Sequence, residues 1–176
     1  QPIVINLSEA DVNDARLLAR DTLNLFQNRA GYYTNSKNSH FRGKLGEIAV
    51  SRYLLNRKVS FIQHYRDLSN LTLCDLEIVG NENRIRVEVK TWSNRFWDDL
   101  GRCVAVGQYH SISNKADIVI WCTSPDNLQQ DISISIQGYS TMKDIIKAPA
   151  KYTGYNRLVH NYQVDAKNMR SIEQLL

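Results

Sequence analysis

The sequence predicts a single α/β domain, and three observations carry that prediction. One segment repeats apolar residues at helical spacing, a central stretch alternates apolar and polar residues on either side of a turn, and ADIVIWCT is a nearly continuous apolar run. Helical period, strand period and a strand covered on both faces thus occur in one chain of 176 residues, long enough to bury a substantial core.

In chain order, Ser8 followed by Glu9 and Asp11 reads as a helix N-cap with an acidic first turn. Val12, Ala15, Leu18, Ala19, Thr22, Leu25 and Phe26 continue it to about residue 29, and Gly31 ends it. This first helix reads as scaffold. After the polar link YYTNSKNSH a second helix runs from about Ser39 to Asn56, and its Gly43 and Gly46 point to close packing against another element. Val59 to Tyr65 reads as a strand leading into the central stretch Cys74 to Thr91.

That stretch is a hairpin turning at Gly80-Asn81-Glu82-Asn83. Leu76, Ile78, Ile85, Val87 and Val89 form its apolar face, and the other face is charged. Trp92 to Gly101 follows as a loop, Arg102 to Val106 as a short strand, and Gln108 to Lys115 as one or two helical turns. Ala116 to Thr123 is the buried strand, Pro125 and Asp126 make a turn, and Asp131 to Gln137 alternates as a half-exposed strand. Thr141 with Asp144 caps a helix to about Lys147, and Pro149 ends it. Residues 159 to 164 are a further strand candidate and Asn168 to Leu176 a terminal helix. There is no repeat, low-complexity tract or interdomain linker, so residues 1 to 176 read as one domain.

Composition is ordinary for a globular chain, 43% hydrophobic and 23% charged, which argues against disordered and fibrous classes. The formal charge of +4 is unevenly placed: Arg29, Lys37, Arg42, Lys44, Arg52, Arg57, Lys58 and Arg66 lie in a stretch whose one acid is Glu47. Clustered cations are the footprint expected for a phosphate backbone, or else a solvated basic face. Cys74, Cys103 and Cys122 are far apart and odd in number, which points to reduced, buried thiols in a cytoplasmic protein. No apolar run approaches a membrane span and no signal-peptide pattern opens the chain; Gln1 in place of Met points to a trimmed start. His40, His64, His110 and His160 show no ligand spacing.

The hairpin register pairs Val79 with Arg84, Glu77 with Arg86 and Asp75 with Glu88. Opposed residues have Cβ atoms roughly 4.5 to 5.5 Å apart, so Asp75 and Glu88 repel unless a cation lies between them or one takes a proton. Lys90 shares their face. Magnesium, a hard cation, suits this donor set, with Asp75, Glu88 and the backbone carbonyl of Val89 as oxygens. Such an ion activates water against a phosphodiester, and Lys90 would stabilise the developing charge. Glu47, one turn from Lys44, either joins this metal site, holding a second ion or its waters if its helix packs on that face, or forms a surface pair with Lys44, Arg42 or Arg52. Glu77 and Arg86 read as a cross-strand ion pair without catalytic role. Trp92, Arg95, Phe96 and Trp97 either stack on bases or plug a core edge.

Asp75, a following strand and then Glu88-Val89-Lys90 resembles the signature of the PD-(D/E)XK nuclease superfamily, the restriction-endonuclease-like fold. GKLGEIAVSRYLL with Glu47 is similar to the helix those enzymes place before the motif. Gln108 matches a glutamine of many members, KADIVIW their next core strand, and QGYSTMKDI a strand-to-helix step. Cys74 stands where the name's proline would be. The resemblance covers about residues 38 to 147, which it marks as the nuclease core, with 1 to 37 a helical scaffold and 148 to 176 an extension.

The resemblance implies an α/β/α sandwich with a central mixed β-sheet and a Mg²⁺-dependent endonuclease, Mn²⁺ substituting, that hydrolyses DNA by metal-activated water and acts as a homodimer. Its implied catalytic set is Asp75, Glu88, Lys90, Glu47 and Gln108. Arg42, Lys44, Arg95, Trp92, Trp97 and Lys115 are the nucleic-acid-binding candidates. An RNA- or tRNA-cleaving toxin nuclease of the same fold, or an idle nucleic-acid-binding module, are the competing expectations.

Overall fold

The computed structural model describes residues 1–26 and 36–176, with side chains for 1–25 and 38–176. The expected helix stop at Gly31, the first part of the polar link, Arg29 and the Lys37 side chain lie outside the described residues. The strands are β1 (Ile3–Asn6), β2 (Phe61–Ile62), β3 (Leu76–Val79), β4 (Arg84–Ser93), β5 (Cys103–Ala105), β6 (Ile118–Ser124), β7 (Ser133–Thr141), β8 (Ala150–Thr153) and β9 (Val159–Gln163). The α-helices are α1 (Glu9–Phe26), α2 (Ser36–Asn56), α3 (Asn94–Leu100), α4 (Val106–Lys115) and α5 (Met142–Lys147).

A mixed six-stranded sheet runs in the order β1-β7-β6-β4-β3-β2. Only β4 and β6 are parallel in it, Glu88 aligning with Val119 and Lys90 with Trp121. A parallel pair needs a long crossover, and α3, β5 and α4 supply it. β6 is buried along its whole length, as its apolar run requires. Ile118, Ile120 and Cys122 face a core shared with α1 and α2, whereas Val119 and Trp121 face a second core built from α4, α5 and the small sheet β5-β9-β8. The chain is therefore an α/β protein whose mixed sheet is covered on both faces.

Helix α2 is buried almost continuously from Lys44 to Ser51 because it lies between α1 and the sheet. Arg52 pairs with Asp11 at 2.6 Å and Arg66 with Asp14 at 2.8 Å, fixing α1 against this layer. Gly46 is where α2 touches β4: a Cβ there would collide with Thr91 Oγ1. The cap at Ser8 forms with Asp11, and Thr141 with Asp144 makes a full capping box.

Several elements differ from expectation. Trp92 and Ser93 do not open a loop: pairing with Thr123 and Ser124 prolongs β4, and residues 94–100 are helical, with Asp126 accepting from the Ser93 hydroxyl and the Arg95 N–H. The strand expected over Val59 to Tyr65 shrinks to β2 plus a 3₁₀ turn at His64–Arg66. The expected terminal helix is two 3₁₀ turns, at Ala166–Asn168 and Ile172–Leu175. β1 and β8 were not anticipated; each is a short edge strand. No helix among the described residues is long and apolar enough to cross a membrane.

Candidate active site

The hairpin register is as the turn dictates, with Leu76, Glu77, Ile78 and Val79 opposite Val87, Arg86, Ile85 and Arg84. β3 starts at Leu76, opposite Val87, and β4 runs on for six residues past that pair with β6 as its one strand neighbour, so one edge of β4 opens at Glu88. Asp75 occupies this opening. Its N–H donates to the Val87 carbonyl at 3.0 Å, and its carboxylate accepts from the Val89 N–H at 2.8 Å. The N–H and C=O of one extended residue share an edge, so the Val89 carbonyl is directed to this side as well.

The opening floors a pocket of about 350 Å³. Gly43, Lys44 and Glu47 of α2 line one wall, Lys115 of α4 another, and His64 through Cys74 the rim. Glu47 is 7% exposed and Lys44 8%, with 2.9 Å between Lys44 Nζ and Glu47 Oε2. Lys115 Nζ lies 3.3 Å from Glu88 Oε2. Neither contact has hydrogen-bond geometry, so both buried oxygens keep free lone pairs. Lys44 is held further by the Tyr65 carbonyl at 3.4 Å.

Charge crowding shows in the acidities. Burial pushes the Asp75 carboxyl well above the usual range, the charges of Glu88 and then Glu47 add to the rise, and the Val89 N–H and Lys44 oppose it. Burial raises Glu47 to about 7, with Lys44 drawing it back and Glu88 adding to the rise. Asp75, Glu88 and Glu47 thus share one concave site with two lysines, and Asp67 stands on its rim, a combination typical of functional centres.

Three of the sequence-derived site residues, Asp75, Glu88 and Glu47, come together here. Glu47 does pair with Lys44, one of the partners expected for it, but both are buried in the pocket wall, so the pair is not a surface one. Lys90 lies on the strand face of Glu88 but does not line the pocket, and no ion pair holds it among the described residues. The lysine that meets Glu88 is Lys115, expected only as a nucleic-acid contact. Gln108 is exposed on α4 outside the pocket. It precedes Lys115 by two helical turns on the same face, about 10 Å along the axis.

The other contacts are also redistributed. Arg42 donates to the Ser124 hydroxyl at 2.7 Å and braces the end of β6. Trp97 packs in the second core beneath the Arg102 guanidinium, 4.7 Å from its ring. Trp92 is half-buried with its Nε1 enclosed and unbonded, and Arg95 lies over Phe96 at 4.3 Å. Glu77 pairs with Arg84 and His64, at 3.1 and 2.8 Å, because Arg86 turns to Asp117 at 2.9 Å. Of the expected basic footprint, Lys44, Arg52 and Arg66 are taken up by ion pairs.

Among the described residues no group of three or more His, Cys, Asp or Glu side chains converges in metal-binding arrangement. The donors nonetheless fit a hard cation: carboxylate oxygens of Asp75 and Glu88, two of the site's buried oxygens unbonded, and a strand carbonyl at an open edge. The chain matches no family model, and neither the curated proteins nor the solved structures contain a match to it.

Proposed function

We propose that the chain is a Mg²⁺-dependent endonuclease of the restriction-endonuclease-like fold, hydrolysing DNA phosphodiester bonds. The observation that carries this reading is the gathering of Asp75, Glu88 and Glu47 with Lys115 at the open edge of β4. Asp75, Glu88 and the Val89 carbonyl are the groups that would hold the ion, with Glu47 beside them. When bound, the ion polarises the phosphodiester and activates water.

The chain's own residues supply the rest. The Val89 N–H fixes the rotamer of Asp75, and Lys44 holds Glu47 in the wall of the pocket. Lys115 can leave Glu88 for a non-bridging phosphate oxygen, where its ammonium offsets charge as it develops in the transition state. Glu47, with an acidity near neutrality, can take a proton from water or return one to the leaving oxygen. The Lys44–Glu47 and Lys115–Glu88 pairs favour a second reading, a nucleic-acid-binding module that keeps its carboxylates neutralised and cuts nothing.

The test is a cleavage panel of duplex, single-stranded and branched DNA and tRNA, in Mg²⁺, Ca²⁺ or chelator, with the wild type and Asp75→Asn. Cleavage that needs Mg²⁺ and is lost in Asp75→Asn is expected, and the preferred polymer decides DNA or RNA. Cleavage in chelator overturns the mechanism; binding without cleavage in any condition establishes the module instead.

A further inference from the structure

The small sheet β5-β9-β8 carries an aromatic row that the hydrolytic site does not use. Tyr162 of β9 aligns with buried Val104 of β5, and its ring meets Tyr109 of α4 edge-on at 5.6 Å. Two residues earlier on the same strand face, about 7 Å away, is His160, whose register partner is Tyr152 of the edge strand β8. The two rings stack at 4.5 Å with 12° between their planes. Tyr162 thus anchors the row in the core, while Tyr152 and His160 overhang it, Tyr152 being 68% exposed.

Beside them the hairpin loop presents Tyr155, 65% exposed, whose hydroxyl donates to Asp99 at 2.8 Å and whose ring lies 5.5 Å from Phe96 under Arg95. An exposed tyrosine pinned by its hydroxyl presents its ring at small further entropic cost. From Ala148 to Val164 the chain holds Lys151 and Arg157 and no carboxylate. Flat rings on a segment that carries cations and no carboxylate of its own, Asp99 of α3 being the acid that Tyr155 bonds, complement unpaired bases on an anionic backbone: every base has a face to stack, and duplex bases are already stacked on each other.

We infer that Tyr152 and His160, with Tyr155 beside them, form a stacking platform for single-stranded or unpaired nucleic acid. This deepens the proposed function and rests on it for the link to cleavage. α4 connects the two sites: Tyr109 meets the aromatic row, and Lys115, six residues on and about 9 Å along the axis, lines the pocket. The substrate class is then a strand with unpaired bases, a free single strand, a branch or a loop, delivered along α4.

The experiment is fluorescence anisotropy in chelator, where no cleavage intervenes, with labelled single-stranded oligonucleotides and the duplex of the same sequence. The proteins are the wild type, Tyr152→Ala, Tyr152→Phe and His160→Ala, all at exposed positions. Tyr152→Ala is expected to weaken single-strand binding about 5- to 150-fold, the worth of one stacked base, with Tyr152→Phe retaining it and the duplex unaffected. Equal single-strand affinity in Tyr152→Ala overturns the platform, even where Mg²⁺-dependent cleavage persists. Sedimentation showing a dimer that Tyr152→Ala dissociates overturns it as well, making the patch an interface between copies. Failure of the nuclease reading has a different signature: no cleavage of any substrate, with the single-strand affinity difference intact.

Discussion

Lys115 and Lys90 are the pair of residues on which the site assignment turns. Both are half-buried, but Lys115 lines the pocket 3.3 Å from Glu88, whereas Lys90 lies outside it. Lys115→Met keeps the aliphatic stem and removes the charge, and is expected to lower kcat by 10² to 10³, the range seen when one preorganised charge-stabilising donor is lost. Lys90→Met is expected to stay within about threefold of wild type. Single-turnover cleavage, with thermal melting to confirm folding, reads both, and the reverse ranking returns the role to the strand motif. Asp75 and Glu88 were legible as neighbours because a turn at Asn81 and Glu82 fixes the hairpin register from Leu76–Val87 to Val79–Arg84, although Asp75 itself lies outside that ladder and bonds Val87 and Val89 instead of standing opposite Glu88. Lys115 was not legible as their partner. Its position depends on the parallel register of β4 and β6, which a crossover of three elements sets and no local pattern reports.

At the scale of elements, the contact that forms the site is the crossing of α2 over β4. Glu47 lines the same pocket as Asp75 because Gly46 lets the helix lie directly on Thr91. Gly46→Ala forces the two apart, with an expected loss of about 1 to 3 kcal/mol typical of overpacking. Cleavage should fall with it. Adding Thr91→Ala makes room for the new methyl, so the double variant should recover most of that stability, a coupling that urea melts of the four proteins measure directly. Additive losses would mean that Gly46 serves helix flexibility and not the crossing. The helices with capping signals, the hairpin and the buried strand β6 were legible because each announces itself within about ten residues. β1 and β8 are four residues each and take their strand form from neighbours, β7 and β9, that lie far off in sequence or across a loop. The extension of β4 through Ser93 was hidden for the same reason: Trp92 and Ser93 are strand only because β6 runs alongside.

For the whole molecule, the buried acids and the surface acids set opposite limits on stability. Arg170 holds Asp144 down to about 2 and Arg86 lowers Asp117, so their contribution is present above the ordinary carboxylate range and is lost as pH falls through their folded values. Glu47 is raised from 4.5 to about 7 and Asp75 is raised too, so the folded chain binds more protons than the unfolded one across that interval. Stability therefore falls as pH rises from about 4.5 to about 7, by up to about 3 kcal/mol from Glu47 alone, and the raised Asp75 adds to the fall. In chelator the melting temperature should peak near pH 5 and decline toward pH 7.5. Glu47→Gln, which cannot ionise, should flatten that decline while leaving the acid limb unchanged. A divalent cation competes with the same protons, so Mg²⁺ should raise the melting temperature more at pH 8 than at pH 5. Melting scans at both pH values, with Mg²⁺ or chelator, check the sign. An equal Mg²⁺ shift at pH 5 and pH 8, or none at pH 8, would show that the crowded carboxylates are not where the ion binds.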